Sequence, residues 1–213
     1  MNYLILDTSC GIRVLLTANG KNYDYTDENG KTASTVLLPI IDKLLDEAQI
    51  TVGDLDSIFA VVGPGSFTGI RIAVNTARMI SYVKNIAVKK IDTLTIGAYS
   101  LEGKCKSVVY GWGKNFYVAD YDENKNLICE PYTATDEDLN AFDGVMVCDK
   151  KSAQILNNGL VYDVNEALRR VAISKIESGI NESLCDVVPF YVTDSQAERE
   201  LAQKEKERGN QGV

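Results

Sequence analysis

Short apolar runs alternate with longer stretches of helical periodicity along the first half of the chain. The opening apolar runs, 2–6, 13–18 and 21–26, are separated by short polar segments, and Asn19-Gly20 is typical of a hairpin turn. The pattern therefore predicts that the chain opens as a three-stranded antiparallel meander.

The next segment adds helices and strands in alternation. Apolar residues at helical spacing predict a helix over 36–48, in which Pro39 either lies near the start or bends the helix. The following elements are predicted as a strand at 58–62, a helix at 66–83, a strand at 86–91 and a short helix at 94–100. Crossover units of this kind add parallel strands, so a mixed five-stranded sheet with helices on its faces is expected.

The second half repeats the order of strands first and helix later, after a predicted hinge at 102–104. Strands are predicted at 105–110, 115–121, 127–129, 145–148 and 186–192, and helices at 136–142, 163–178 and 196–207. This order indicates a reduced and diverged copy of the first half. We expect one α/β domain over residues 1–102, a second over 103–193, and a terminal helix or tail over 194–213.

The helix predicted over 66–83 has an unusually wide apolar arc. Apolar or small side chains cover more than half of its circumference, namely Ile70, Ile72, Ala73, Val74, Ala77, Met79, Ile80 and Val83. A surface helix needs only about 100° to pack on one sheet. A second apolar contact, with another helix or another chain, is therefore expected. Arg71 and Arg78 lie on the remaining polar strip. They either bind an anion or pair with acidic residues of a partner helix, or they belong to an ordinary solvated helix face.

A glycine-rich turn, Gly63-Pro64-Gly65, precedes this helix, and Ser66 is placed to cap it. Backbone N–H groups at such a helix start can bind a phosphate. However, the spacing matches neither GxxxxGK[ST] nor GxGxxG, and the turn holds no lysine. A tight turn with packing glycines is the alternative that the residues favour.

Asp7, Thr8 and Ser9, at the end of the first predicted strand, are the strongest polar candidates. A carboxylate at a strand end can hold a hydrated magnesium ion while a nearby helix start binds phosphate. This hypothesis makes Asp7, Thr8, Ser9, Gly63, Gly65 and Ser66 a nucleotide site. The alternative, which we favour, is that Asp7 and Ser9 cap their own turn.

Composition narrows the functional classes. The net charge of −8 disfavours autonomous binding of nucleic acid or an anionic membrane. The chain has no histidine, which removes Ser-His-Asp and Cys-His catalysis and imidazole metal sites. Its five cysteines stand singly without a CxxC, as in a reducing compartment. Since neither a signal peptide nor a membrane span is predicted, we expect a cytoplasmic protein.

Three segments resemble one family in their order and spacing: 4–9 (LILDTS), 37–45 (LLPIIDKLL) and 62–71 (VGPGSFTGIR). They are similar to the bacterial TsaB (YeaZ) proteins of tRNA threonylcarbamoyladenosine biosynthesis, and GPGSFTGIR is the specific part. The resemblance implies an actin-like/Hsp70-like ATPase (RNase H-like) fold, with two related α/β subdomains that each contain a mixed sheet.

The resemblance also implies a non-catalytic partner of the paralogue TsaD, which transfers the threonylcarbamoyl group to the tRNA adenosine adjacent to the anticodon. The ATPase TsaE joins this pair, tRNA is reached only through the complex, and the chain alone forms a homodimer. No cofactor of its own is implied, and ATP with magnesium is expected only within the TsaD/TsaE complex.

Family members pair through their first two helices. The interface residues implied here are Leu37, Ile41, Leu44, Ile70, Arg71, Val74, Ala77 and Arg78. The chain departs from the family at 32–34 and 111–113, where Thr-Ala-Ser and Gly-Trp-Gly replace a histidine and an Asp-Ala-Arg-like turn. Both departures favour a scaffold over an enzyme. The alternatives are an ATP-binding enzyme, kinase-like or labelled a peptidase, and a regulatory homodimer outside tRNA modification.

Overall fold

The computed structural model describes residues 1–29, 32–180 and 182–192, which form two five-stranded sheets with helices on their faces. The helix or tail predicted within 194–213 lies outside the described residues. This is the two-part α/β architecture that the sequence predicted.

The first sheet contains the meander and the two added strands. Its members are β1 (Tyr3–Asp7), β2 (Ile12–Ala18), β3 (Lys21–Asp27), β4 (Ser57–Gly63) and β5 (Ala87–Asp92). Their order across the sheet is β3-β2-β1-β4-β5, with β1, β2 and β3 antiparallel and β4 and β5 parallel to β1. The predicted meander and mixed sheet are therefore confirmed. Every residue of the central strands β1 and β4 is buried, because helices cover both faces of the sheet.

Two long helices pack side by side on one face of this sheet: α1 (Ala33–Ala48) and α2 (Phe67–Lys84). Pro39 lies inside α1, beyond its first turn. α1 lies over β2 and β3, whereas α2 lies over β1, β4 and β5. A single turn of 3-10 helix, Val52–Asp54, leads from α1 into β4. The short helix α3 (Thr93–Ala98) covers part of the opposite face. Asp92 caps this helix, as predicted.

The second sheet contains two long strands and three that are shorter than any strand of the first sheet. They are β6 (Cys105–Trp112), β7 (Asn115–Tyr121), β8 (Tyr132–Thr135), β9 (Met146–Cys148) and β10 (Leu160–Val161), in the order β10-β9-β6-β7-β8. Two short helices, α4 (Asp136–Asn140) and α5 (Lys150–Ala153), lie between its strands in the chain. The last described helix, α6 (Val164–Glu177), packs with α3 on the first sheet. The second half of the chain thus completes the core of the first.

Two predicted strands are absent from the described residues. The segment 127–129 makes only an isolated bridge between Leu127 and Tyr121, because Leu127 and Ile128 are exposed and have no face to bury. The segment 186–192 runs as an extended coil in which Pro189 has no N–H to donate. Its backbone link to the first sheet is the bond from Phe190 N to Val62 O, 2.8 Å.

Candidate functional site

The glycine-rich turn packs tightly against the backbone that follows β1. Ser66 Oγ accepts from Gly69 N (3.2 Å), so Ser66 caps α2 as predicted, and Ser66 N donates to Ser9 O (2.8 Å). A Cβ at Gly69 would lie 1.9 Å from Thr8 O, and one at Gly65 would lie 2.7 Å from Ser9 O. The glycines therefore let the start of α2 contact this backbone directly. This geometry agrees with the packing alternative.

Asp7 is buried and fully engaged within its own turn. Its Oδ1 accepts from Ser9 N (2.9 Å) and Ser9 Oγ (2.6 Å), and its Oδ2 lies 3.4 Å from Arg13 Nη1. Thr8 Oγ1 donates to Gly69 O (2.5 Å) instead of facing a ligand. The bonds match the alternative in which Asp7 and Ser9 cap their turn. Sequence reasoning missed Arg13, although it lies directly opposite Asp7 in the antiparallel register of β1 and β2.

A cleft of about 540 Å³ separates the two sheets. Of the six residues predicted as a nucleotide site, Asp7 and Ser9 line it, whereas the glycine turn and Thr8 do not. The structure therefore separates the predicted site into two parts. Across the cleft, the second half contributes Asp149, Lys150 and Tyr162, which sequence reasoning missed because no local motif marks them.

The three basic side chains of the cleft already have partners. Lys150 Nζ lies 2.6 Å from Glu28 Oε1, Lys151 Nζ lies 3.8 Å from the centroid of the Tyr110 ring, and Arg13 contacts Asp7. A magnesium-bound nucleotide needs free cations or backbone donors around its phosphates. The described residues of the cleft, as arranged, do not fit that group.

Cys10, Tyr162 and Thr93 add uncharged polar groups to the cleft. Burial, followed by the charges of Asp149 and Asp7, raises the pKa of the Cys10 thiol, so the thiol is protonated at neutral pH. Burial likewise raises the pKa of Tyr162. Thr93 Oγ1 is buried and has no hydrogen-bond partner among the described residues. Within those residues, no cluster of three or more carboxylates and thiols is arranged to hold a metal ion.

The second predicted region is the interface on the first two helices, and here the structure corrects the prediction. Six of the eight residues lie in the chain's own core: Leu37, Ile41, Leu44, Ile70, Val74 and Ala77. They cannot contact a partner directly, because α1, α2 and the first sheet already cover them. Only Arg71 is exposed, and Arg78 is half-buried.

The part of the α2 arc that the fold leaves uncovered lies beside these arginines. Met79 is 53% exposed, Tyr82 is 78% exposed and Val83 is 67% exposed. We call the exposed side of this helix the α2 surface, and its members are Phe67, Arg71, Arg78, Met79, Tyr82 and Val83. In the wide apolar arc predicted from the sequence, Met79 and Val83 are exposed, whereas the central residues are buried in the core.

None of the helices formed by the described residues combines the length and hydropathy that a membrane span requires.

Comparison with known proteins adds the following relationships. The family described as "TsaD: tRNA N6-adenosine threonylcarbamoyltransferase" matches residues 28–146. A "tRNA threonylcarbamoyladenosine biosynthesis protein TsaB" of Buchnera aphidicola (Schizaphis graminum) is 36% identical over 104 residues, which are 48% of this chain and 50% of the relative. The protein of the same name from Bacillus subtilis is 28% identical over 134 residues, 60% of this chain and 58% of the relative. The chain thus spans about half to three fifths of these relatives.

The structure is also similar to solved ones. "YeaZ from Pseudomonas aeruginosa" superposes with a TM-score of 0.74 at 20% identity, covering 89% of this chain and 99% of that one. At this identity the likeness shows a common fold.

Proposed function

Since the chain belongs to the TsaD family of tRNA N6-adenosine threonylcarbamoyltransferases and, within it, to the TsaB (YeaZ) proteins, we propose that it is an accessory subunit of such a transferase. In this role it binds TsaD and stabilises the form of TsaD that transfers threonylcarbamoyl to the tRNA adenosine adjacent to the anticodon. TsaE joins the assembly, and ATP with magnesium acts only within that complex.

The α2 surface is the observation that carries this proposal. Met79, Tyr82 and Val83 expose apolar area on one side of a helix whose opposite side is anchored in the core. Soluble proteins rarely leave contiguous apolar surface uncovered unless it meets a partner. Aromatic, methionine and arginine side chains are also those enriched at protein interfaces. The surface therefore suits a protein partner.

The chemistry of the cleft supports an accessory role over a catalytic one. The chain has no histidine, the Cys10 thiol is held protonated, and Asp7 is engaged by Ser9 and Arg13. A general base or nucleophile must be near its reactive state at working pH. The Cys10 thiol does not meet that condition, and the oxygens of Asp7 already accept hydrogen bonds from Ser9 and Arg13, so we propose that the reaction takes place on TsaD.

Contact with tRNA is assigned to the partner for an electrostatic reason. The chain carries a net charge of −8, and phosphate contacts dominate the affinity of proteins for RNA. We therefore expect the purified chain alone not to shift tRNA in a gel at physiological salt, while the TsaD complex does.

The test of the docking surface is the affinity for TsaD of two exposed-site variants, Tyr82→Asp and Met79→Asp. Each places an unpaired charge in an apolar contact, so we expect at least a ~100-fold loss of affinity by calorimetry. Ile173→Asp is the matched control, because Ile173 is an exposed apolar residue on α6, across the first sheet. Val74→Glu is unsuitable, since it would unfold the core. If both α2 variants bind TsaD like the wild type, the docking surface lies elsewhere.

The ATP-binding alternative has its own test in the cleft. Because the cleft cations are already paired, we expect calorimetry of the isolated chain with Mg-ATP to show no binding. Alkylation of Cys10, which lines the cleft, gives a second readout. The rate should be the same with and without Mg-ATP. Micromolar binding that protects Cys10 and is lost in Asp7→Ala would favour an ATP-dependent function instead.

A further inference from the structure

A three-membered cluster lies at the start of α2, at one end of the α2 surface. The rings of Phe67 and Tyr191 stack with centroids 5.0 Å apart and planes at 25°. The guanidinium carbon of Arg71 lies 3.9 Å from the centroid of Phe67. Arg71 Nε donates to Tyr191 Oη at 3.1 Å. A cation over an aromatic face, held by a hydrogen bond from its Nε, has little rotational freedom left.

Tyr191 can hold Arg71 because its own backbone is fixed. Phe190 N donates to Val62 O (2.8 Å), and Val187 is completely buried in the core beneath. A Cβ at Gly63 would lie 2.7 Å from Phe190 O, so the glycine allows the segment to approach the end of β4. The segment 186–192 therefore holds the Tyr191 ring against the first turns of α2.

Within the part of the chain that the structure describes, the hydrogen bond of Arg71 is made by its inner nitrogen, Nε. Within the described residues, neither Nη1 nor Nη2 of Arg71 has a hydrogen-bond or ion-pair partner. The α2 sequence contains Arg71, Arg78 and Lys84 but no acidic residue. The charged side chains of α2 itself are therefore all basic on a chain with a net charge of −8, and an anion on a covering surface would complement them.

Resting on the function proposed above, we propose that Arg71, held by Tyr191 and Phe67, is a preorganised anchor that binds an aspartate or glutamate side chain of the protein partner. A planar guanidinium binds a carboxylate through two parallel hydrogen bonds, and fixing it in advance lowers the entropy lost on binding. Tyr191 is then a positioning residue, since it acts through Arg71.

A carboxylate of a protein suits this site better than a phosphate of RNA. The anchor continues into the exposed apolar residues Met79, Tyr82 and Val83, which an RNA backbone would leave uncovered. The Phe67 and Tyr191 rings already stack on each other, so they do not form an open platform for a base. The overall negative charge also repels RNA.

The test compares four variants of the full chain for TsaD affinity by calorimetry. We expect Arg71→Ala to weaken binding ~10- to 100-fold and Arg71→Lys to lose most of that amount, because lysine keeps the charge without the planar fork. Tyr191→Phe keeps the stack but removes the bond to Nε, and we expect a ~3- to 10-fold loss. Arg170→Ala, at an exposed arginine on α6, is the matched control and should not change the affinity. All four variants should melt at the wild-type temperature.

The outcomes separate this inference from the proposed function. If Arg71→Ala binds TsaD normally while Tyr82→Asp does not, the anchor is wrong and the docking surface stands. If Tyr82→Asp also binds normally, the proposed docking surface fails as well. If Arg71→Lys binds TsaD with wild-type affinity, a positive charge alone is sufficient, and the preorganised guanidinium is not needed. If Arg71→Ala binds TsaD with wild-type affinity but its complex no longer binds tRNA, Arg71 binds an RNA phosphate and not a carboxylate of the partner.

Discussion

The two sheets have the same number of strands but differ in how completely they are buried. The central strand β1 of the first sheet is buried along its whole length, as is its neighbour β4, whereas the central strand β6 of the second sheet is buried at five of its eight residues. The edge strands β3 and β10 contain no buried residue. The first sheet has helices on both faces, including α6 from the far end of the chain. The comparison teaches that the first half forms the stable platform that presents α2, while the second half is a smaller unit attached to it.

The contacts between the halves differ in the same way. α6 joins the first sheet through apolar side chains, and it also holds the edge strand β3 through an ion pair of Arg169 with Asp24. Asn165 Nδ2 donates to Thr26 Oγ1 at 3.2 Å beside this pair. At the part of the cleft away from α6, by contrast, Lys150 and Glu28 form an exposed ion pair. The halves are therefore joined firmly at α6 and weakly at the cleft.

The largest expected effect compares one buried phenylalanine from each sheet. Phe59 in β4 and Phe116 in β7 are both fully buried. Truncation of such a residue to alanine costs about 3–5 kcal/mol, depending on how far the surroundings relax. We expect Phe59→Ala to fall at the upper end and Phe116→Ala at the lower end, because one of the two strands beside Phe116, β8, has only four residues and can move into the cavity. Urea unfolding of the two variants measures the difference, and equal losses would break the comparison.

Helical glycines give the next effect. A Cβ at Gly69 would meet the backbone oxygen of Thr8 at 1.9 Å, whereas a Cβ at Gly97 would meet the Ser107 hydroxyl, against the second sheet, at 2.3 Å. Backbone yields less than a side chain, so Gly69→Ala should cost about 3 kcal/mol and Gly97→Ala about 1 kcal/mol. Alanine normally stabilises a helix relative to glycine, so both signs are reversed from the ordinary case.

Gly53→Ala serves as the control for these glycine variants. A Cβ there would meet only Thr51 Oγ1 at an ordinary 3.6 Å. Thermal unfolding should give the control a midpoint close to that of the wild type. A stability of Gly69→Ala equal to the control would show that α2 does not press on the backbone after β1.

A smaller effect is expected at the polar links between the halves. The Arg169 side chain is largely buried at its pair with Asp24, whereas Lys150 and Glu28 are both exposed. We expect Arg169→Ala to lower the free energy of unfolding by about 1 kcal/mol, and Lys150→Ala to lower it by only a small fraction of that amount. The reverse order would mean that the cleft holds the halves together.

The smallest effect is a dependence on pH. A hydrogen bond from Lys150, and then its charge, lower the pKa of Glu28 below the usual 4.5. A group with a lowered folded pKa contributes stability above its unfolded pKa and loses it as the pH falls through the folded pKa. The wild type and Lys150→Ala should therefore converge in stability below about pH 4. The measurement is the urea unfolding midpoint of both proteins from pH 7 to pH 3. A difference between them that stays constant with pH would show that the Lys150–Glu28 pair does not depend on the protonation of Glu28.

Much of the first half follows from local signals in the sequence. Asn19-Gly20 places the first hairpin, alternating residues define β2 and β3, and Ser66 marks the start of α2. The packing of α6 on the first sheet has no such signal, because it depends on contacts far along the chain. The helix itself was predicted, but its amphipathic pattern does not tell which of two sheets it will cover.

The site residues show the same limit. The width of the α2 arc could be read from the sequence, but the division of that arc into core and surface could not. Val74 and Met79 are both apolar, and only the position of α1 and the sheet makes the first internal and the second exposed. The partners of Asp7 and of Lys150 were likewise invisible, since Arg13 and Glu28 become neighbours only through strand register and the closure of the cleft.

The central claim, that the exposed side of α2 docks on TsaD, is tested most directly by hydroxyl-radical footprinting of the wild-type complex. Met79 and Tyr82 are exposed and react readily, and the account predicts that TsaD slows their oxidation at least several-fold while Ile173 on α6 oxidises at an unchanged rate. Unchanged oxidation of Met79 and Tyr82 in a stable complex, with protection of Ile173 or of the second sheet instead, would contradict it.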